Sequence, residues 1–260
     1  MSDADHVPVP VELPGELASE LARAAAEFGS QEDVTAMAQA ACRAAQRLVP
    51  GAEEASLSLL LRQGCIATVA ATDDRCFAID AYQEETGDGP CAEAAREDPV
   101  THLQDTDTDP EWPEFSRWAR ARGVGSMMAI QLSLLELEED EKVQADPSTR
   151  GVGALNLYAS VPRAFSAEAE EIAQLLGVHI TLALRGRQRV TQLREALASR
   201  DLIGRAKGIL IARLGIDDEA AFELLRQRSR DTNTRLVELA RSVVESAAGA
   251  DARVEDAVPR

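Results

Sequence analysis

The sequence predicts an α+β fold, an antiparallel sheet flanked by helices, followed by a long linker helix and a C-terminal three-helix bundle. Three observations carry this. Apolar residues recur at helical spacing from Leu17 to Val49, change to strand-like runs between Ala55 and Ala159, and return to helical spacing after Ser166. Charge divides the 260-residue chain: residues 1–184 hold 12 basic and 33 acidic side chains, a net of −21, whereas residues 185–250 hold 13 and 9, a net of +4. Of nine aromatic residues, only Phe222 lies beyond residue 185. This asymmetry points to two units with separate roles. The boundaries it implies are a flexible N-terminus at 1–16, a first domain at 17–185, a helical unit with a coiled-coil linker at 186–249 and a disordered tail at 250–260.

The elements follow in order. Leu17 to Val49 reads as helix and stops at Pro50-Gly51. Ala55–Leu61 and Cys65–Ala71 read as two strands around Arg62-Gln63-Gly64, with a further extended piece at Cys76–Ile79. Gly87-Asp-Gly-Pro-Cys91 is a turn that opens a short helix at Ala92–Glu97, and Val100–Leu103 is a strand. Asp105-Thr-Asp-Thr-Asp-Pro110 is a solvated loop before a helix at Phe115–Arg122, and Ser126–Leu135 and Val152–Ala159 form a strand pair joined by the acidic stretch Glu136–Arg150. Ser166 is placed to cap a helix whose first turns carry Glu168, Glu170 and Glu171, where the helix dipole favours negative charge.

That helix has no proline and continues past residue 200. Ile172, Leu176, His179, Ala183, Gly186, Val190, Leu193 and Leu197 alternate in steps of 4 and 3, a heptad seam weakened at Ala183 and Gly186. Its first half, Ile172 to Ala183, has two readings, packing on the domain's own sheet or pairing with a second subunit. The second half has no sheet beside it, so a homodimer is expected there. His179 reads as a core or interface histidine rather than a ligand. Leu214-Gly215 ends the helix, Asp217-Asp218-Glu219 starts a second, and Thr232 or Asn233 caps a third that carries Leu236, Leu239, Ala240, Val243 and Val244 on one side and fades at Ala247-Ala248-Gly249.

Composition narrows the function. A net charge of −18 would argue against nucleic acid if it were evenly spread, because phosphate contacts need clustered Lys and Arg, but it is not. The acidic start, Met1-Ser-Asp-Ala-Asp-His6, lacks the order of a secretory signal and no apolar run approaches a bilayer span, so a cytoplasmic location with no membrane contact is expected. Cys42, Cys65, Cys76 and Cys91 form no C-x-x-C pair, and His6, His102 and His179 are scattered, so no metal site is expected and the cysteines read as buried and structural.

On the helical wheel Leu202, Ile203, Ala206, Ile209 and Leu210 share an inner face, while Arg200 and Lys207 lie within roughly 20° of each other on one shoulder. Gly204 and Gly208 fall on the outer side, either for a tight helix crossing or for close approach of a ligand backbone. The run Ala198-Ser-Arg200-Asp-Leu-Ile203-Gly-Arg-Ala206-Lys207-Gly208-Ile-Leu210, with Glu219-Ala-Ala221-Phe222-Glu-Leu-Leu225-Arg226, Ser229 and Asn233 to Ala240, resembles the ANTAR domain of transcription antitermination regulators. Gly87-Asp-Gly-Pro-Cys91-Ala-Glu-Ala, Trp112-Pro-Glu-Phe115, Gly123-Val-Gly-Ser126 and Gly153-Ala-Leu-Asn156-Leu-Tyr158 resemble the GAF sensor domain commonly found upstream of ANTAR in actinobacteria. Glu136–Arg150 departs from that pattern.

The resemblance implies a non-enzymatic, signal-responsive antiterminator that binds tandem hairpins in nascent RNA as a dimer and prevents the terminator from forming. Phe222 sits beside Leu225 and reads as core, so RNA reading falls on Arg200, Lys207, Arg226 and Arg235, with Ser229 and Asn233 as neutral partners. By analogy with other GAF domains, Cys91, Asp105, Trp112 and Tyr158 are candidate lining residues for an unidentified small-molecule signal. No cofactor is implied. Two other readings stand beside this one. In the first, the sensor is a redox enzyme resembling free methionine sulfoxide reductases, with Cys91 at a helix start as its lowered-pKa thiol. In the second, the C-terminal unit acts through protein or DNA contact.

Overall fold

The computed structural model describes residues 15–60, 66–94, 99–133 and 151–255. The chain divides into two compact units, Met1–Arg187 and Gln188–Arg260, two residues beyond the sequence boundary. The acidic stretch Glu136–Arg150 and Cys65 lie outside the described residues.

The first unit is built on a five-stranded sheet of β1 (Glu54–Leu60), β2 (Ile66–Ala71), β3 (Val100–Leu103), β4 (Ser126–Ser133) and β5 (Gly151–Ala159). The strand order is β2-β1-β5-β4-β3 and every pairing is antiparallel. Because side chains alternate along a strand, each face of this sheet builds its own core. On one face Ala55, Leu57, Met128, Ile130, Leu132, Leu155 and Leu157 pack against α1 (Gly15–Ser30), α2 (Val34–Leu48) and the start of α6 (Ala167–Leu214). The opposite face is covered by α3 (Asp74–Thr86), α4 (Pro90–Ala94) and α5 (Pro113–Arg120), with Ala71, Leu103, Met127, Ala154 and Tyr158 supplying the sheet's share.

Two sequence expectations change here. The helical run at Leu17–Val49 is two helices, because Asp33 leaves helical geometry and its carboxylate accepts a hydrogen bond from the Ala36 amide at 2.7 Å, capping α2. Cys76–Ile79 is not extended but lies inside α3, which is capped by Asp73 and closed by Gly87 at φ 68°. That helix turns Cys76, Ile79, Asp80 and Gln83 inward at steps of 3, 1 and 3, so half of its buried face is polar and its helical period is hidden from an apolar count.

α6 begins as expected, with Ser166 Oγ accepting from the Ala169 amide at 3.3 Å. Ile172 and Leu176 are buried in the first unit's own core, so the first half of the seam packs on the sheet. Gly177 belongs to the same contact: a Cβ there would stand 3.1 Å from Ile130 Cγ2. His179 and Ala183 are half-buried.

In the second unit, the end of α6, α7 (Asp218–Thr232) and α8 (Leu236–Glu255) pack around Ala206, Leu225 and Ala240, flanked by Leu202, Ile203, Leu210, Leu236, Val243 and Val244. Asp217 caps α7 through the Ala220 amide at 2.8 Å. Asn233 does not cap the third helix. It closes α7 in the left-handed conformation at φ 50°, and in the first turn of α8 the Glu238 and Leu239 amides bond to the Arg235 carbonyl. α8 also runs on past Gly249 to Glu255.

Candidate sensor cluster and nucleic-acid interface

In the first unit the strand pleat gathers polar groups onto one face. Ser56 stands opposite Asn156 across β1 and β5, Ser58 stands opposite Thr68 across β1 and β2, and Tyr158 is two residues beyond Asn156 on the same side. α3 lowers Asp80 into their midst. Its fully buried carboxylate accepts hydrogen bonds from Ser56 Oγ at 2.6 Å, Thr68 Oγ1 at 2.8 Å and Asn156 Nδ2 at 3.2 Å, and from the Tyr158 hydroxyl. Burial pushes the Asp80 carboxyl up to about 6, against the opposing pull of the Ser56, Tyr158 and Thr68 hydrogen bonds.

Cys91 joins this cluster from α4 and is buried beside Trp112 and Tyr158, so three of the four candidate sensor residues share one core. Its amide donates to Gln83 Oε1 at 2.8 Å. Burial, with the charge of Asp80 adding to it, pushes the thiol up to about 12, the reverse of the lowering expected at a helix start. Asp105 is the exception. Its carboxylate accepts from the Asp107 amide at 3.0 Å and shapes the loop before α5, away from the other three in role and partners. Sequence reasoning missed Asp80, Ser56, Thr68 and Gln83. The available signal was serine at alternate positions of a strand whose other positions are apolar. Gln83 Nε2 and Asn156 Oδ1 are buried with no hydrogen-bond partner among the described residues.

In the second unit the six candidate RNA contacts separate by surroundings. Arg200 and Arg235 are exposed and make no ion pair among the described residues. Lys207 is held in a close pair, its Nζ donating to Asp218 Oδ1 at 2.6 Å and Oδ2 at 2.7 Å. Arg226 pairs with Glu223 one turn earlier at 3.3 Å. Ser229 and Asn233 build the turn between α7 and α8, Ser229 Oγ donating to the Thr234 carbonyl at 2.6 Å. Gly204 and Gly208 have nothing within 4 Å of where a Cβ would stand, so a tight crossing inside the protomer does not account for them. Phe222 is not core. The residue is 39% exposed, and Lys207 Nζ lies 5.8 Å from its ring centre. Along α6, Val178 and Leu182 in the first unit and Val190, Leu193 and Leu197 in the second are exposed.

No helix among the described residues is long and apolar enough to cross a membrane, and no group of three or more metal-ligating side chains occurs among them. The nitrate regulatory protein of Klebsiella oxytoca is 31% identical over 138 residues, which is 50% of this chain and 32% of that protein. The chain thus spans about a third of the curated relative it matches. Among solved structures, a bacteriophytochrome from R. palustris aligns with 84% of this chain and 47% of its own at 12% identity and a TM-score of 0.53. The photosensory core module of a Stigmatella aurantiaca phytochrome aligns with 87% and 46% at 12% identity and a TM-score of 0.54. These two likenesses are of fold alone. Residues 191–244 match the ANTAR domain, and residues 31–185, more than half of the chain, match the GAF domain. The chain belongs to the GAF domain family and carries an ANTAR domain after its GAF domain.

Proposed function

We propose that the protein is a signal-responsive transcription antiterminator that binds tandem hairpins in nascent RNA as a homodimer and prevents the terminator from forming. The observation that carries this reading is the ANTAR match at 191–244, within the stretch 185–250 whose net charge is +4 against −21 for the residues before it. Arg200, Arg235 and Lys207 are the contacts we assign to phosphate or loop bases, and the open side of α6 at Gly204 and Gly208 admits an RNA backbone. The test is titration with a two-hairpin RNA over a range of salt. Affinity should fall steeply as salt rises, with DNA of the same sequence failing to compete. Equal competition by DNA would sink the reading.

A homodimer is supported by Val190, Leu193 and Leu197, which expose 46%, 64% and 61% of their surface on one helix with heptad spacing. Leu193→Glu combined with Leu197→Glu should convert a dimer to a monomer in light-scattering mass measurements. The same dimeric mass in the variant would remove this seam. Val178 and Leu182 are also exposed but stand one residue, about 100°, from the seam positions His179 and Ala183, whereas Ile172 and Leu176 serve the first unit's core.

The signal enters, in this reading, at the Asp80 cluster, where the unpartnered Gln83 amide nitrogen and Asn156 amide oxygen give a small polar ligand one donor and one acceptor. The acidic sensor holds RNA away from the basic unit until that signal arrives. Removing residues 1–165 should then raise RNA affinity with the dimer intact. Unchanged or lower affinity would count against such masking. The thiol of Cys91, pushed up rather than down, favours this regulatory reading over a redox enzyme.

A further inference from the structure

The second unit holds its lone aromatic ring in an unexpected place. Phe222 lies on α7, 39% exposed, and the ammonium of Lys207 stands 5.8 Å from the ring centre. The Lys207 side chain is only 21% exposed, so its ammonium is fixed in position rather than waving in solvent. Both oxygens of Asp218 rest on that ammonium, yet the Asp218 side chain is 75% exposed. A flat apolar face, a fixed cation beside it and an oxyanion already seated on the cation are the parts that a single nucleotide requires. Its base needs a ring to stack on and its phosphate needs a positive charge, and both are carried on one short sugar.

We infer that Phe222 and Lys207 form a one-nucleotide subsite, in which an unstacked loop base lies on the Phe222 ring and the adjoining phosphate takes the place of the Asp218 carboxylate on Lys207. This rests on the RNA-binding reading above and adds to it the residue that reads a base and the residue that competes with the phosphate. Unpaired loop bases are commonly held by stacking on aromatic side chains, with little dependence on base identity. Exposed carboxylate–ammonium pairs are weak, so a phosphate that brings a whole RNA with it can displace Asp218.

Full-length protein and a two-hairpin RNA carrying 5-iodouridine in its loops provide the test. Phe222→Leu, which keeps apolar bulk but loses the flat face, should weaken binding by about fivefold to a hundredfold, and Phe222→Trp should restore it. Asp218→Asn should tighten binding by about two- to fivefold, and that gain should vanish when Lys207→Gln is added. Irradiation should cross-link the loop to residue 222, a result that a packing role would not give. If wild-type protein binds RNA while Phe222→Leu binds equally well and no cross-link reaches residue 222, the subsite is wrong and RNA binding stands. A loss of dimer mass in Phe222→Leu would reassign the ring to a subunit contact and also overturn the subsite. Failure of the wild-type protein to bind RNA would overturn the reading beneath it.

Discussion

Leu225→Ala is expected to unfold the C-terminal unit and leave the sensor folded. Among the described residues that unit's core is centred on buried Ala206, Leu225 and Ala240, with Ala221 and Ala247 also buried, and Leu225 is the one large side chain among them. Deleting a buried leucine to alanine costs about 2–5 kcal/mol, through lost transfer energy and the cavity left behind. A three-helix unit of this size has a stability of about the same magnitude, so little remains after the loss. The sensor does not share that core: its two clusters lie on either face of the sheet and contain none of these residues. Calorimetry of the full chain should show one unfolding transition lost at room temperature and one retained, with RNA binding lost alongside. Leu224→Ala is the control, since Leu224 is exposed and its removal should change stability by about 0.5 kcal/mol or less. Equal effects at 224 and 225 would show that this small core does not govern the unit.

The second large effect is a pH dependence centred on Asp80. Its folded-state value is raised to about 6 from an ordinary 3.8, so the folded state binds the proton more tightly than the unfolded chain. The stabilisation from the protonated form is therefore complete below pH 3.8 and is lost as pH rises through 6. A shift of about two units corresponds to roughly 3 kcal/mol. Asp80→Asn keeps the shape and removes the titration, and the hydroxyls of Ser56, Thr68 and Tyr158 can turn from donating to accepting. Urea denaturation at a series of pH values should show the wild type losing roughly 3 kcal/mol, relative to Asp80→Asn, between about pH 4 and pH 7. A difference between the two proteins that stays constant with pH would refute the assignment.

Much of the fold was legible in the sequence because its cues are local. The change of apolar period located the sheet and the long helix, Ser166 and Asp217 announced their helices, and Gly215 at φ 66° closes α6 next to Leu214 as the Leu214-Gly215 pair implied. α3 was misread for a physical reason. Its inward face carries Asp80 and Gln83, and an apolar count cannot see a buried face whose polar groups are matched by serine, threonine, asparagine and tyrosine from distant strands. The candidate sensor residues fared likewise: Cys91, Trp112 and Tyr158 converge in one core, while Asp105 has a local partner two residues away that fixes it in a turn.

The sequence by itself determined the division into an acidic, ring-rich first unit and a basic, ring-poor second unit, since composition and period survive without any tertiary contact. Which members of a stripe are buried was decided only in three dimensions. Ile172 and Leu176 meet a sheet while Leu193 and Leu197 meet solvent, although all four obey the same heptad. Phe222 emerges beside Lys207 instead of entering the core, and Asp80, which no sequence pattern singled out, becomes a buried hub. The reason is the same in each case: spacing along the chain sets the face on which a side chain stands, and only the packing of other elements against that face sets what it touches.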